Sequence, residues 1–170
     1  MNEMIGIWQD KKDTGQIGPS LLAENKKFMQ SLLRINEKKL NIKAEVIHDK
    51  VFEKIDCLHC ANCCKSIPPI INETDANRIA RHLRIKPSVF NERYTTTDED
   101  HDVVINASPC PFLGKDNLCS IYEVRPKACR EYPHTNNLEF RKNIKLHAVN
   151  AGYCPGVYHI LEQLKSLKPI

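Results

Sequence analysis

Four of the chain's eight cysteines crowd into one stretch, Cys57-Leu58-His59-Cys60-Ala61-Asn62-Cys63-Cys64. A Cys-x-x-Cys pair forms a tight turn that aims two sulfurs at one point, and Zn–S bonds of about 2.3 Å require that convergence. Here the step repeats at 57, 60 and 63. The same C-x₂-C-x₂-C run serves iron–sulfur clusters in bacterial ferredoxins, where a Cys-Pro supplies a further ligand. The chain has two distant Cys-Pro pairs, Cys110-Pro111 and Cys154-Pro155. Cys₄ geometry suits zinc and a [4Fe–4S] cluster alike, so the spacing leaves the metal open.

The other thiols are more dispersed. Cys110-Pro111-Phe112-Leu113 is followed by Cys119 and then by Cys129-Arg130-Glu131-Tyr132-Pro133, with Cys154 further on. Steps of this length exceed one turn, so the fold must bring these ligands together. Cys57, Cys60, Cys63, Cys64, Cys110, Cys119, Cys129 and Cys154 suffice for one or two metal sites, and spacing alone does not partition them. Adjacent Cys63 and Cys64 would point opposite ways in an extended chain and so serve different sites. For Cys110, Cys119 or Cys154 taken singly, a small buried hydrophobe is the competing role. His59 reads as a solvent-facing loop residue before a ligand, and His134 is a weaker candidate. The histidines at 48, 82, 101, 147 and 159 are scattered, with His82 structural between Ala80 and Leu83. Lys65, Arg125, Lys127 and Arg130 flank the cysteines, where positive charge favours thiolates. A thioredoxin-like role needs a βαβ setting that the pattern lacks, and the radical-SAM spacing C-x₃-C-x₂-C does not occur.

These thiols must be positioned by a mostly helical frame with irregular cysteine-rich loops. Residues 1–18 lack periodicity and read as a loose N-terminal arm. Residues 19–170 read as a single small metal-stabilised domain. Leu21, Leu22, Phe28, Met29, Leu32, Leu33 and Ile35 step by helical intervals over 19–37. Leu40, Ala44, Ile47, Val51 and Ile55 favour a helix over 40–55, although 40–46 also alternate like a strand. A cysteine loop over 57–69 ends at Pro68-Pro69. A helix over 74–85 carries the stripe Ala76, Ile79, Ala80 and Leu83, capped by Asn72 or Thr74 and stopped by Lys86-Pro87. A short helix with Val89, Phe90 and Tyr94 inward comes next, then an acidic turn at 98–102 and a strand at 103–105. Pro155 suits the first position of a last helix with Val157, Ile160, Leu161 and Leu164 inward.

Composition narrows the class. Eight cysteines in 170 residues exceed what packing needs. The N-terminus carries no basic segment followed by an apolar run and a cleavage site, and no run of 18 apolar residues is present. The expectation is therefore a cytoplasmic protein with no membrane partner, whose cysteines bind metal rather than form a disulfide framework. The formal charge is +4. Eight thiolates on two divalent ions would bring it to zero, so the basic excess need not signal nucleic acid. Apart from Lys26-Lys27 and Lys38-Lys39 no dense basic stripe interleaves with aromatics.

The two motifs together resemble the CxxCxxCC family of zinc- or iron-chelating domains, the cysteine cluster proteins. The first is Cys57-x-x-Cys60-x-x-Cys63-Cys64. The second runs from Cys110-Pro-Phe-Leu through Cys119-Ser-Ile-Tyr122-Glu-Val-Arg125-Pro126-Lys-Ala-Cys129-Arg130-Glu-Tyr132-Pro133, so the likeness covers residues 57 to 133. The chain departs at Ala61, where relatives often have glycine. The resemblance implies metal chelation through the cysteines. The family is similar over this domain to the longer bacterial flagellin lysine methylases, yet no Gly-rich loop follows a strand to hold an adenosyl cofactor. Three functions are expected in turn: a metal-binding protein holding zinc or an iron–sulfur cluster, a metal-centre enzyme (redox or lysine methylase-like), and, weakest, a zinc-stabilised interaction module, for nucleic acid or for a protein partner that the sequence does not name. No Ser-His-Asp pattern or carboxylate pair stands out, so no catalytic residue is assigned.

Overall fold

A computed structural model of the chain describes residues 2–136 and 139–166. It is mostly helical, as expected. The chain gathers into two compact units, one made of Met1–Cys60 with Pro133–Ile170 and the other of Ala61–Tyr132.

The first unit is built of helices. Residues 1–18, expected as a loose arm, instead hold α1 (Glu3–Asp13). The Asn2 side chain accepts from the N–H of Met4 at 3.1 Å and of Ile5 at 3.4 Å, satisfying donors that a helix start leaves open. Only Ile5 and Trp8 are buried on α1, a stripe too short to read as periodicity. Trp8 nonetheless ties the helix down, donating its indole N–H to the carbonyl of Ala151 at 3.0 Å. Next, α2 (Pro19–Leu32) opens on a proline, and α3 (Glu37–Phe52) is capped by Asn36, which accepts from Lys39 N–H at 3.2 Å. The ambiguous 40–55 region is thus helix, with Leu40, Ala44, Ile47 and Val51 on its buried face. The short α4 (Cys57–Cys60) follows.

Two elements of this unit come from the far end of the chain. The sequence pattern did not foretell α9 (Ile144–Asn150), which buries Ile144, His147, Ala148 and Asn150. In α10 (Pro155–Ser166), Val157, Ile160, Leu161 and Leu164 point inward as expected. Helix α10 packs on α3 and α1, and α2 packs on α9. One core joins Trp8, Met29, Leu40, Val51, Phe140 and Ile160, with Cys60 and Cys154 partly buried against it.

The second unit opens where a loop was expected, with the short helix α5 (Asn62–Ser66). Ala61, at its start, adopts left-handed backbone with φ +45, the conformation glycine takes without strain. The core helix α6 (Glu73–His82) is capped by Asn72, which accepts from Asp75 N–H at 2.7 Å. His82, read as structural, lies exposed at its end. Pro87 starts α7 (Pro87–Tyr94), and two strands follow, β1 (Thr95–Thr97) and β2 (Val103–Ile105). They pair antiparallel, Thr95 opposite Ile105 and Thr97 opposite Val103. Residues 69–71 add to this sheet: Ile71 N–H donates to Val103 at 2.8 Å and Ile105 N–H to Pro69 at 3.1 Å. The acidic turn at 98–102 closes the hairpin, with Asp98 accepting from the N–H of Asp100 and Asp102. A 3₁₀ turn (Tyr122–Val124) leads into α8 (Lys127–Glu131). The core joins Ile71, Ile79, Phe90, Ile105, Phe112 and Ile121, with Cys110 and Cys119 partly buried against it.

Candidate metal centre

In the second unit four separate segments deliver thiols: Cys63 and Cys64 on α5, Cys110 after β2, Cys119 before the 3₁₀ turn, and Cys129 on α8. The backbone lashes these segments together. Cys110 N–H donates to the Cys64 carbonyl at 2.9 Å, and Ser108 Oγ to the Lys65 carbonyl at 3.0 Å. The Cys110–Cys119 segment folds back on itself through an antiparallel bridge between Leu113 and Cys119, closed by Gly114 N–H to Leu118 at 2.7 Å. A side chain at 114 would meet the Asp116 carboxylate, which would have to turn aside to admit it.

The thiols feel one another. The Cys129 thiol is pushed up to about 12, first by burial and then by Cys64, Cys110 and Cys119, with Arg125 opposing. Burial also raises Cys110 and Cys119, each of which is further disfavoured as a thiolate by Cys64. Cys64 is the exception, lowered to about 7 by a hydrogen bond with Cys63 and by the charges of Arg125 and Lys65. Sγ of Cys63 and Sγ of Cys64 lie 3.9 Å apart. The expectation of opposed directions assumed extended backbone. On a helix consecutive side chains are turned by about 100° and not 180°.

The first unit holds Cys57, Cys60 and Cys154. Cys154 immediately precedes Pro155 at the start of α10, in the N-cap position, where the backbone N–H groups of Val157 and Gly156 favour its thiolate. It therefore caps the helix as a serine would. Its thiol is still pushed up to about 12, by burial first and then by Cys57 and Cys60. Gly156 leaves room there for the ring of Phe52, which a Cβ would displace. His59 faces solvent and pairs with Asp56 at 2.8 Å, in keeping with its reading as a spacer.

All eight cysteines are free of disulfides. Among the described residues no group of three or more His, Cys, Asp and Glu side chains could hold an ion with the side chains as placed. The donor chemistry of the second unit nonetheless fits one. The sulfurs of Cys63, Cys64, Cys110, Cys119 and Cys129, one more than a tetrahedral site needs, make a soft donor set suited to zinc or iron, and Arg125 lies near enough to Cys64, Cys119 and Cys129 to offset their charge. The Arg125 guanidinium is itself held over the Tyr122 ring, 3.8 Å from its centroid. Spacing named Arg125 as a flanking charge. It missed Asp75 and Arg78, which reach the segment before Cys129, because nothing in a helix stripe marks a carboxylate for a partner 52 residues on.

A region with this content has relatives. The chain matches the CxxCxxCC family, described as "Putative zinc- or iron-chelating domain", over residues 56–155, and it belongs to that family. It is 28% identical over 106 residues to an uncharacterized protein of Methanocaldococcus jannaschii, a match spanning 60% of this chain and 57% of that protein's length. No solved structure matches. No helix among the described residues is long and apolar enough to cross a membrane.

Proposed function

We propose that the protein binds zinc or iron through cysteine thiolates, with Cys64, Cys110, Cys119 and Cys129 as one ligand set and Cys57, Cys60 and Cys154 as a second group of thiols. The observation that carries the reading is the convergence in the second unit. Backbone bonds from the Cys64 segment to the Cys110 segment and within the Cys110–Cys119 stretch, the mutual influence of these thiols, and membership of a zinc- or iron-chelating family support it. Each sulfur would close on the ion by a change of side-chain rotamer, an inexpensive motion. Bound zinc would supply a closed tetrahedral clasp, and a [4Fe–4S] cluster would supply an electron carrier. The chain's own residues do the rest. Arg125 and Lys65 offset thiolate charge, partial burial limits the contact of Cys110 and Cys129 with water, and the amides at the start of α10 favour Cys154 as a thiolate. Free thiols of this number suit the reducing cytoplasm.

The test is protein purified without oxygen, with absorbance and elemental analysis on one sample. Iron and sulfide, with broad absorbance near roughly 400 nm that dithionite bleaches, would mark a cluster and favour electron transfer or a metal-centre enzyme. A colourless sample with one or two zinc per chain would mark a structural clasp or an interaction module. A chain with neither metal, and no uptake of either on reconstitution, overturns the reading.

A further inference from the structure

Cys129 depends for its place on α8, a helix of five residues with no side-chain cap from its own Pro126. A helix this short does not hold itself together in water, and its first N–H groups need partners. A carboxylate from another helix supplies one. Both oxygens of Asp75, on α6, accept from Lys127 N–H, Oδ1 at 3.1 Å and Oδ2 at 3.2 Å. Asp75 Oδ1 also takes a hydrogen bond from Arg78 Nη2, one turn along the same helix. Arg78 then reaches the residues just before α8. Its Nε donates to the Val124 carbonyl at 3.3 Å and its Nη2 to the Arg125 carbonyl at 2.9 Å. The pair thus grips Val124, Arg125 and Lys127 by alternate acceptors and donors. The Asp75 side chain is 2% exposed and that of Arg78 is 30% exposed. A buried carboxylate costs stability unless it is paired and hydrogen-bonded, and this one is bonded to Arg78 and to the Lys127 amide. The geometry is that of a clamp, with α6 held in the core through Ala76, Ile79 and Ala80 and its polar side on the strand that delivers a thiol.

We infer that Asp75 and Arg78 are positioning residues of the four-thiol site, fixing α8 so that Cys129 presents its sulfur beside those of Cys64, Cys110 and Cys119. The inference rests on the proposed reading of those four cysteines as one metal site. Its consequence is a division of labour within α6, whose apolar side stabilises the unit while its Asp75–Arg78 side sets the ligand count. Arg125 is held at the same time, since its carbonyl is bonded by Arg78 and its guanidinium lies over the Tyr122 ring.

The test is titration of the full-length, reduced, metal-free chain with Co²⁺, reading the thiolate-to-cobalt charge-transfer band and the affinity by chelator competition. Cys129→Ser calibrates the loss of one sulfur, about a quarter of the intensity if one of four ligands is gone. Asp75→Ala should lose the same share and bind cobalt at least about tenfold more weakly. Arg78→Lys guards against a variant that fails to fold. It keeps a cation beside Asp75, but one ammonium cannot match the guanidinium fork, so it should show the same loss in weaker form. A merely structural role would lower the melting temperature and leave the band per bound cobalt unchanged, which would overturn the inference. If the parent chain itself gives no thiolate-to-cobalt band, the metal reading fails first. A parent with a full band and variants that match it defeats only the clamp.

Discussion

At the scale of single residues, Ala61 and His147 carry the clearest consequences. Ala61 sits at φ +45 and is 4% exposed. Alanine pays roughly 1–2 kcal/mol for left-handed backbone, and a β-branched side chain fares worse there. Ala61→Val is therefore expected to cost about 2 kcal/mol or more, read as a lower denaturant midpoint with an unchanged slope. His147 is fully buried, stacked on Phe140 with ring centroids 4.2 Å apart and hydrogen-bonded through Nε2 to the Phe140 carbonyl at 3.1 Å. Burial, chiefly, depresses it to about 4, with the bond to Phe140 opposing and His134 adding to the fall. The folded chain holds this ring neutral where the unfolded chain, titrating near 6.5, takes up a proton. Stability should thus be full above about pH 6.5, decline as pH falls from there towards 4, and level off below. The span of the loss is roughly 3 kcal/mol. Denaturant unfolding at pH 7 and pH 5 should show it, and His147→Phe should flatten the difference if this ring is its source.

At the scale of elements, the start of α10 joins packing to chemistry. Cys154 caps the helix, Pro155 pre-sets its first turn, and Gly156 leaves room for the Phe52 ring. Cap and ligand can be separated by substitution. In the metal-free chain, Cys154→Ser should keep the cap and melt close to the parent, while Cys154→Ala should lose about 1 kcal/mol. Both should lower metal content if the sulfur is a ligand, and equal metal content in parent and variants would remove Cys154 from the ligand set. Gly156→Ala should cost about 1–3 kcal/mol, because the Phe52 ring must leave its rotamer well to admit a methyl group. The same element scale explains what periodicity missed. Helix α9 was not foretold because its buried positions include His147 and Asn150, polar residues that no apolar stripe counts. Strand β1 is Thr95-Thr96-Thr97, whose residues give no alternation of apolar and polar side chains.

At the scale of the whole molecule, the two units each own a core and a group of thiols, and the division falls between Cys60 and Ala61, inside the first cysteine motif. Metal binding to sites formed only in the folded chain is folding energy. For a chain saturated a thousandfold above its dissociation constant this is about 4 kcal/mol, worth roughly 8–16 °C for a chain of this length. Chelation of the purified protein should lower its melting temperature by that order, and readdition of the native metal should restore it. Alanine at Cys57, Cys60 or Cys64 should lower both metal content and melting temperature. Variants that keep full metal and the parent's melting temperature would show that the first motif is not a ligand set.

What the sequence by itself determined is local chemistry and local periodicity. The donor type was plain from eight cysteines, the Cys-x-x-Cys turns from their spacing, and α2, α3, α6, α7 and α10 from apolar stripes, with Asn72 to cap α6 and Pro155 to open α10. These follow from interactions within a few residues of the chain, which a linear pattern records. Only the tertiary structure decided that the Cys64 and Cys110 segments are bonded to one another, that Trp8 anchors α1 through Ala151, and that Asp75 and Arg78 hold the segment leading to Cys129. Such pairings join positions from 46 to 143 residues apart. They depend on where burial of each core leaves the chain once its entropy has been overcome, and no local pattern encodes that.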